Sequence, residues 1–321
     1  MRQIQTITFD QIDLSDETIS VNFMPDLQNL RSSIQMVGLI QPVLLRRKKD
    51  SCQIVCGFRR ILVLKELRAD RIPAMVFEER ERNDLELFIL SLQENLTTRG
   101  FNAIEKAIAL DKLIHSFKVE PSEVIKSYLP LFSLEPNEKI LNTYLSLATM
   151  EEEIKAYVLK EEVSRYNLRL FARMNSQDRI ALPPFLSRLK LSENRLREIL
   201  TLLSEISRRE RISIQEVIHR ADLQEIILEE GATPSQKTER IKRELLKLRH
   251  PRMKQREEEF EKRRKALQLP PPLILRHAPS FEGKELRIEF QFETLEGYRA
   301  IVDSLSGLGD REEFKEMIRE F

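Results

Sequence analysis

The chain has 321 residues, a length typical of two or three domains that each bury a core. Lysine and arginine number 53 against 52 aspartate and glutamate, a formal net charge of +1, so any nucleic-acid-binding surface must be local rather than set by the overall charge. No segment approaches the ~20 consecutive apolar residues that span a bilayer, and residues 1–6 lack the apolar stretch of a signal peptide, so we expect a cytoplasmic protein without a membrane-spanning segment.

The first 92 or so residues alternate between strand and helix patterns, which is typical of an α/β domain. Asp26 is expected to cap the first helix, and Gly38 to end it. Asn83 or Asp84 is expected to cap the last helix, which runs to Glu94 and Asn95. Strands are predicted at residues 4–9, 12–14, 42–47, 53–56 and 72–77, with helices over 26–37, 59–67 and 84–95.

Gly57, Phe58, Arg59 and Arg60 stand where a predicted strand ends and a helix begins. Free N–H groups and the helix dipole attract anions at such a place, and arginine can bind phosphate oxygens through two parallel hydrogen bonds. The same residues also fit an ordinary strand–helix turn with two solvated arginines. Two other segments favour phosphate contact over an ordinary turn. They are Gly38–Pro42 upstream and the acid–amide pair Glu94–Asn95 downstream.

Cys52 and Cys56 lie four residues apart on a predicted strand. They share one face of the strand but stand too far apart along it to form a disulfide. We therefore interpret them as buried thiols rather than as a redox pair.

From Asn102 to about residue 228 every clear periodicity is helical. Asn102 is expected to cap a helix through residue 117, and two further helices are predicted over 122–128 and 137–148. Pro130 and Pro136 are expected to bracket a loop between those two helices, a longer connection than a helix-turn-helix motif usually has. Later helix starts are predicted near residues 151, 192, 213 and 233, and the helix from 233 continues to 249, where Pro251 interrupts it.

The C-terminal fifty residues predict a small α+β module. Residues 269–273 are proline-rich and form a stiff linker. Residues 286–292 alternate between apolar and polar side chains, so we expect a half-buried strand paired with residues 273–276. Thr294 is expected to cap a following helix. A core this small gains stability from self-association.

Two segments are candidates for DNA contact. The helix over 137–148 places Asn142 and Thr143 where they could read base edges, with Lys139 beside them, although Glu138 would repel phosphate. A helical packing or partner surface is the alternative interpretation. The basic stretch over 237–256 could neutralise backbone phosphates without reading sequence, or form a solvated face; its members include Arg240, Lys242, Arg243, Lys247, Arg252 and Lys254.

Four motifs in the first third of the chain resemble the N-terminal domain of ParB-type partition proteins. They are G-L-I-Q-P at residues 38–42, C-G-F-R-R at 56–60, E-N-L at 94–96 and N-A-I-E-K-A at 102–107. The resemblance implies a ParB/sulfiredoxin-like α/β fold that binds CTP and Mg²⁺. It implies phosphate contact by Gly57, Arg59 and Arg60, metal or phosphate contact by Glu94 and Asn95, and base-side contact by Gly38 and Gln41.

The chain departs from the family pattern at two places. Phe58 stands where the family carries a glutamate, and Thr97 and Thr98 replace a glutamine–arginine pair, with Arg99 displaced by one position. Both departures concern turnover more than binding, so a CTPase with weak or absent turnover remains one option and no catalytic residue is assigned. Sulfiredoxin places its reactive cysteine where Phe58 stands, so its chemistry is not expected here.

These observations predict an α+β multidomain protein that forms a homodimer. The resemblance implies a DNA-binding protein of the bacterial nucleoid, acting in chromosome or plasmid partition, with a ParA-type ATPase as a possible partner. The alternatives are a DNA-associated regulator that does not hydrolyse nucleotide and a metal-dependent nuclease or phosphotransferase. The predicted domains are a nucleotide-binding domain over 1–100, a helical domain with a degenerate helix-turn-helix over 101–230, a basic charged helix and linker over 231–268, and a C-terminal dimerisation module over 269–321.

Overall fold

The computed structural model describes residues 3–271, 273–278 and 285–320, without the side chains of residues 252–254 and 320. The chain divides into two compact units, Met1–Pro184 and Phe185–Phe321. The first combines a five-stranded sheet with helices, and the second is helical with a two-stranded sheet. The α+β class expected from the sequence is thereby confirmed.

The sheet of the first unit is mixed, with strand order β1-β5-β3-β4-β2. β1 pairs antiparallel with β5, and β3 pairs antiparallel with β4, whereas the β3–β5 and β2–β4 pairs are parallel. Every strand predicted in this region is present. The bounds are β1 Ile4–Thr8, β2 Ile12–Asp13, β3 Val43–Lys48, β4 Ser51–Cys56 and β5 Arg71–Phe77, with a 3₁₀ turn Phe9–Gln11 between β1 and β2.

Three helices accompany this sheet; the apolar faces of the first two pack with it into one core, and the third contacts β4. They are α1 Gln28–Val37, α2 Phe58–Glu66 and α3 Asp84–Thr98. Asn83 caps α3 by accepting a hydrogen bond from the Glu86 N–H, and Gly38 ends α1 with a φ of 74°. Fully buried core residues include Val43, Leu45, Ile54, Ile61, Ile72 and Ala74.

The rest of the first unit is helical, as predicted. Its segments are α4 Ala103–Asp111, a π-helical turn Lys112–Ser116, α5 Pro121–Glu123, a second π-helical turn Val124–Tyr128, α6 Leu129–Leu131, α7 Glu138–Ala148, α8 Glu152–Lys160, α9 Arg165–Ala172 and α10 Ser176–Leu186. The prediction that Pro130 opens a loop is wrong. Pro130 lies in α6, which directly continues the π-helical turn Val124–Tyr128.

The second unit contains α11 Glu193–Glu210, α12 Ile214–Ile218, α13 Ala221–Leu228, α14 Pro234–Arg249 and α15 Pro251–Ala266, followed by β6 Leu273–His277, β7 Leu286–Phe290, α16 Leu295–Leu308 and α17 Glu312–Glu320. β6 and β7 pair antiparallel. Phe260 of α15 packs in the same core as Leu275, Leu308 and Met317, so α15 contributes to the C-terminal core. Among the described residues, no helix has the length and apolar character needed to cross a bilayer.

Candidate functional site

A cavity of about 310 Å³ opens beside the turn between β4 and α2. Its wall is formed by the end of β4, the start of α2, the last turns of α3 and the segment that follows β2. The polar and charged side chains that line it are Ser20, Asn22, Asp26, Gln41, Arg59, Arg60, Ser91, Glu94, Asn95, Thr98 and Arg99.

Gly57 makes the turn possible. Its φ of +94° lies in the left-handed region, and a Cβ atom at this position would come within 2.8 Å of Val43 Cγ1 and 3.1 Å of Arg60 Nε and Nη2. As the N-cap of α2, Gly57 has no side chain that could occupy the first N–H groups of the helix. Those groups therefore have no side-chain cap, and free N–H groups at a helix start can donate to an anion.

Arg60 is held at the cavity by two kinds of contact. Its Nη1 donates to the backbone carbonyls of Gln41 at 3.1 Å and Pro42 at 3.2 Å. Its Nη2 donates to Glu94 Oε1 at 2.8 Å. The first contact joins α2 to the segment before β3, and the second joins it to α3, so the guanidinium is fixed from both sides.

Glu105 unites the other two cavity arginines. Arg59 Nη2 donates to Glu105 Oε1 and Arg99 Nη1 donates to Glu105 Oε2, both at 2.8 Å. The Glu105 side chain is only 1% exposed, and the Asn102 N–H also donates to it, at 3.2 Å. A carboxylate so deeply buried requires such partners. Asn22 Oδ1 completes the set by accepting from Arg59 Nε at 3.1 Å.

Lys112 and Arg99 together hold the segment over residues 17–22, part of which lines the cavity. Lys112 Nζ donates to the carbonyls of Glu17, Thr18 and Ser20, the last at 2.7 Å. Arg99 Nη2 donates to the Val21 carbonyl at 3.2 Å. Burial lowers the pKa of the Lys112 ammonium, and nearby carboxylates, Glu17 first, oppose that shift. This segment is thus positioned by cations from α3 and from the π-helical turn after α4.

The acid–amide pair offers oxygen ligands of the kind that Mg²⁺ prefers. The Asn95 amide is oriented at both ends, because Nδ2 donates to the Ser91 carbonyl at 2.8 Å and Oδ1 accepts from Arg99 Nε at 2.7 Å. The described residues contain no group of three or more acidic, histidine or cysteine side chains that could hold a metal unaided. Mg²⁺ is usually bound by one or two carboxylates together with phosphate oxygens and water, and Glu94 fits that arrangement.

Cys56 and Phe58 flank Gly57 with apolar groups. Both cysteines are free and buried, as predicted. Burial first and the Glu94 charge second raise the pKa of the Cys56 thiol to about 12, so this thiol stays protonated at neutral pH. Phe58 lines the cavity and packs against the core of the sheet.

The structure brings most of the predicted nucleotide and metal residues to this one cavity. Gln41, Gly57, Arg59, Arg60, Glu94 and Asn95 all line it, whereas Gly38 does not. Sequence reasoning assigned no role to Asn22, Arg99, Glu105 or Lys112. Arg99 could have been found from the sequence, because it stands one position after the place where the family carries an arginine. Glu105 already had a simpler explanation, because it completes the capping box of Asn102.

The candidate DNA-contacting residues are distributed unevenly. Lys139 and Asn142 on α7 are exposed, but Thr143 is buried and its hydroxyl donates to the Lys139 carbonyl at 2.7 Å. Thr143 is therefore not placed to read a base edge. Among the described side chains of α14, Arg240, Lys242 and Lys247 form ion pairs with Glu229, Glu198 and Glu244, and Arg243 is exposed without such a pair. The side chains of Arg252 and Lys254 lie outside those described.

Comparison with known proteins identifies the family of the first unit's sheet domain. The family model of the ParB N-terminal domain matches residues 1–96. Residues 1–96 form a ParB N-terminal domain. The resemblance to ParB-type partition proteins that the motifs predicted is thereby confirmed.

The relatives of this ParB N-terminal domain differ in how much of the chain they match. A nucleoid occlusion protein of Bacillus thuringiensis (strain Al Hakam) is 26% identical over 153 residues, which cover 47% of this chain and 50% of that relative. Stage 0 sporulation protein J of Bacillus subtilis (strain 168) is 23% identical over 215 residues, covering 62% of this chain and 72% of the relative.

One solved structure similar to the chain is the C-terminally truncated chromosome-partitioning protein ParB from Caulobacter crescentus complexed with CTP-gamma-S. It is 22% identical, with a TM-score of 0.27, and the match covers 57% of this chain and 97% of that one.

Proposed function

We propose that the ParB N-terminal domain of this chain binds a nucleoside triphosphate, CTP by family resemblance, and that the whole protein is a DNA-binding partition protein of the bacterial nucleoid. The observation that carries the proposal is the convergence of Arg59, Arg60 and Arg99 on one cavity beside the Gly57 turn. Three guanidinium groups beside a helix N-terminus form a site for a multiply charged anion.

The proposed roles are those that the family resemblance implies, and the geometry of the cavity supports them. The N–H groups after Gly57 and the Arg60 guanidinium bind phosphate oxygens, and Arg59 adds charge from the next position. Glu94 and Asn95 supply oxygen ligands to Mg²⁺, which neutralises part of the phosphate charge when it is bound with the nucleotide. Gln41 lies on the base side. Gly38 does not line the cavity, so it is proposed to act only through the turn that ends α1 before Gln41.

The remaining assignments concern the whole chain. Lys139 and Asn142 on α7 are proposed to contact DNA, together with Arg243 on α14, and the C-terminal module to join two copies. A ParA-type ATPase is the partner that partition systems employ, by family resemblance. The proposed boundaries remain a nucleotide-binding domain over 1–100, a DNA-binding domain over 101–230, a charged segment over 231–268 and a dimerisation module over 269–321.

Calorimetric titration of the full-length protein with each of the four ribonucleoside triphosphates, in Mg²⁺ and with or without duplex DNA, tests the proposal. We expect saturable binding of CTP that the other three triphosphates do not match. Absence of binding by any triphosphate under all of these conditions would contradict the nucleotide part of the proposal.

A second candidate is a DNA-associated regulator of the same fold that binds nucleotide without hydrolysing it. Phe58 favours this candidate, because its ring packs against the sheet core where the family carries a carboxylate. A phenyl ring can neither order water nor accept a proton. Measured CTP hydrolysis under multiple turnover, with Mg²⁺ at saturation, separates the two candidates: sustained turnover supports the first, and bound but intact CTP the second.

A further inference from the structure

Two carboxylates hold the three cavity arginines, and they differ in their access to solvent. The Glu105 side chain, which pairs with Arg59 and Arg99, is 1% exposed. The Glu94 side chain, which pairs with Arg60, is 26% exposed. A fully buried carboxylate that loses its partner becomes an unpaired buried charge, whereas a carboxylate that reaches solvent can exchange its partner for another ion. The Glu94–Arg60 pair is therefore the one that an entering ligand can displace.

We infer that Glu94 competes with phosphate for Arg60, and that a divalent cation accompanying the triphosphate relieves this competition by drawing the Glu94 carboxylate away. The inference rests on the proposed function and adds a regulatory step to the same site. Glu94 Oε1 occupies Arg60 Nη2 at 2.8 Å. A carboxylate oxygen at that distance takes the same donor that a phosphate oxygen would use.

The position of Arg60 does not depend on Glu94. Its Nη1 is bound to the carbonyls of Gln41 and Pro42, and these contacts remain when the carboxylate leaves. Nη2 lies against the turn, 3.1 Å from the place where a Gly57 Cβ would stand. The released donor thus points to the start of α2, where the helix N–H groups already attract an anion.

The competition has a measurable size. A hydrogen bond between charged groups is worth about tenfold or somewhat more in affinity. Without a cation, a triphosphate must break the Glu94–Arg60 bond and also approach the negative charge of Glu94. With a cation bound between Glu94 and the phosphates, the same carboxylate attracts the ligand instead. Glu94 therefore opposes metal-free binding and supports metal-dependent binding.

The experiment measures CTP affinity of the full-length protein with Mg²⁺ and with EDTA. Glu94→Gln should raise the metal-free affinity about tenfold over the parent and should reduce the gain that Mg²⁺ brings. Asp26→Asn is the matched control, because Asp26 also lines the cavity but accepts from the Gln28 N–H rather than from Arg60. This control removes the same charge and should change the metal-free affinity far less.

Two results would overturn the inference. One is a metal-free affinity of Glu94→Gln at or below that of the parent. The other is an equal gain from Glu94→Gln in an Arg60→Gln background, which would show a general charge effect. Glu94→Ala serves as a second variant, with thermal unfolding as the folding check. If the parent binds no triphosphate with either Mg²⁺ or EDTA, the proposed function itself fails, and that outcome is distinct from the other two.

Discussion

At the scale of single residues, Gly57 is constrained in two separate ways. Its φ of +94° is a backbone conformation that L side chains rarely adopt, and the space that a Cβ would need is already filled by Val43. Gly100 shares only the first constraint, since its φ is +71° and a Cβ there would meet nothing within 4 Å. The two glycines therefore separate backbone strain from steric conflict.

Gly57→Ala should lower the free energy of unfolding by more than Gly100→Ala does. Backbone strain costs on the order of 1–3 kcal/mol at either position, and the contact with Val43 adds to it only at Gly57. Chemical denaturation of the two variants and the parent checks this expectation. Equal losses would mean that Val43 moves aside without cost.

At the scale of elements, α14 illustrates how a basic sequence becomes a packing surface. Lys242 and Arg249 of α14 pair with Glu198 and Glu205 of α11 at 2.9 and 2.7 Å. A third ion pair joins the same helices with the charges exchanged, because Glu239 of α14 pairs with Arg195 of α11. Two of the basic side chains that a DNA backbone would meet on α14 are therefore already compensated by α11.

Lys139→Ala on α7 should weaken binding to duplex DNA and make it less sensitive to salt, because an exposed lysine releases a counterion when it meets phosphate. Lys242→Ala should leave both quantities nearly unchanged, because that lysine is bound to Glu198. Fluorescence anisotropy over a series of salt concentrations measures affinity and slope together. A larger effect of Lys242→Ala than of Lys139→Ala would show that the paired lysine contacts DNA and would contradict this expectation.

The start of α8 and α10 are joined by a two-bond ion pair. Arg179 Nε and Nη2 donate to the two oxygens of Glu151, both at 2.8 Å. The Arg179 hydrogen bond is the largest cause that lowers the pKa of the Glu151 carboxyl to about 2. A carboxyl with a lowered pKa stabilises the fold above its unfolded-state value of 4.5 and loses that contribution as the pH falls toward 2.

Glu151→Gln should therefore destabilise the protein at pH 7, by on the order of 1 kcal/mol for a pair that solvent partly screens. The difference from the parent should shrink as the pH falls below 4.5. Denaturant melts of both proteins between pH 7 and pH 3 measure it. A difference that does not depend on pH would show that the charge of Glu151 contributes nothing.

The elements that sequence reasoning found are those whose signals are local. Asn102, Ser213 and Thr233 each begin a helix with a capping box, whose second member lies three residues after the first. α9 and α10 were missed, the latter because Pro183 and Pro184 lie inside it and proline normally argues against a helix interior. The π-helical turns likewise lack a sequence signature.

The same distinction explains the site. The Gly57 turn and its arginines form one contiguous motif, whereas the pairing of Arg59 with Glu105 joins residues 46 positions apart. No spacing rule brings such residues together, because their meeting depends on how α4 packs against the rest of the first unit. Burial of Glu105 could be recognised only in the folded chain.

At the scale of the whole molecule, the C-terminal module leaves apolar rings in contact with water. The rings of Phe292 and Tyr298 are in tilted contact, with centroids 5.1 Å apart, yet these side chains are 55% and 39% exposed, and Leu295 on the same helix as Tyr298 is 64% exposed. An apolar cluster of this kind is typical of a surface that a second protein chain covers. A second copy of the chain is the occupant that the proposed function requires.

Phe292→Asp should convert a dimer of the full-length protein to a monomer and weaken DNA binding, because two DNA-contacting units would no longer be linked. Leu228→Asp is the matched control, since Leu228 is 69% exposed on α13, outside this module. Analytical ultracentrifugation at micromolar concentration distinguishes the two states. A monomeric parent, or a Phe292→Asp variant that remains dimeric, would refute the assignment.

Lys112 donates hydrogen bonds to the carbonyls of Glu17, Thr18 and Ser20, which lie 92 to 95 positions earlier in the chain. The match to the family model of the ParB N-terminal domain ends at residue 96, before this lysine. A fragment cut at residue 100 keeps every strand of the five-stranded sheet but loses the cation that holds this segment. Proteases should therefore cleave that fragment first within the segment, whereas a fragment ending after α10 should resist cleavage there. The smallest piece that can be transplanted as an independent receptor is thus expected to be larger than the piece that the family model delimits.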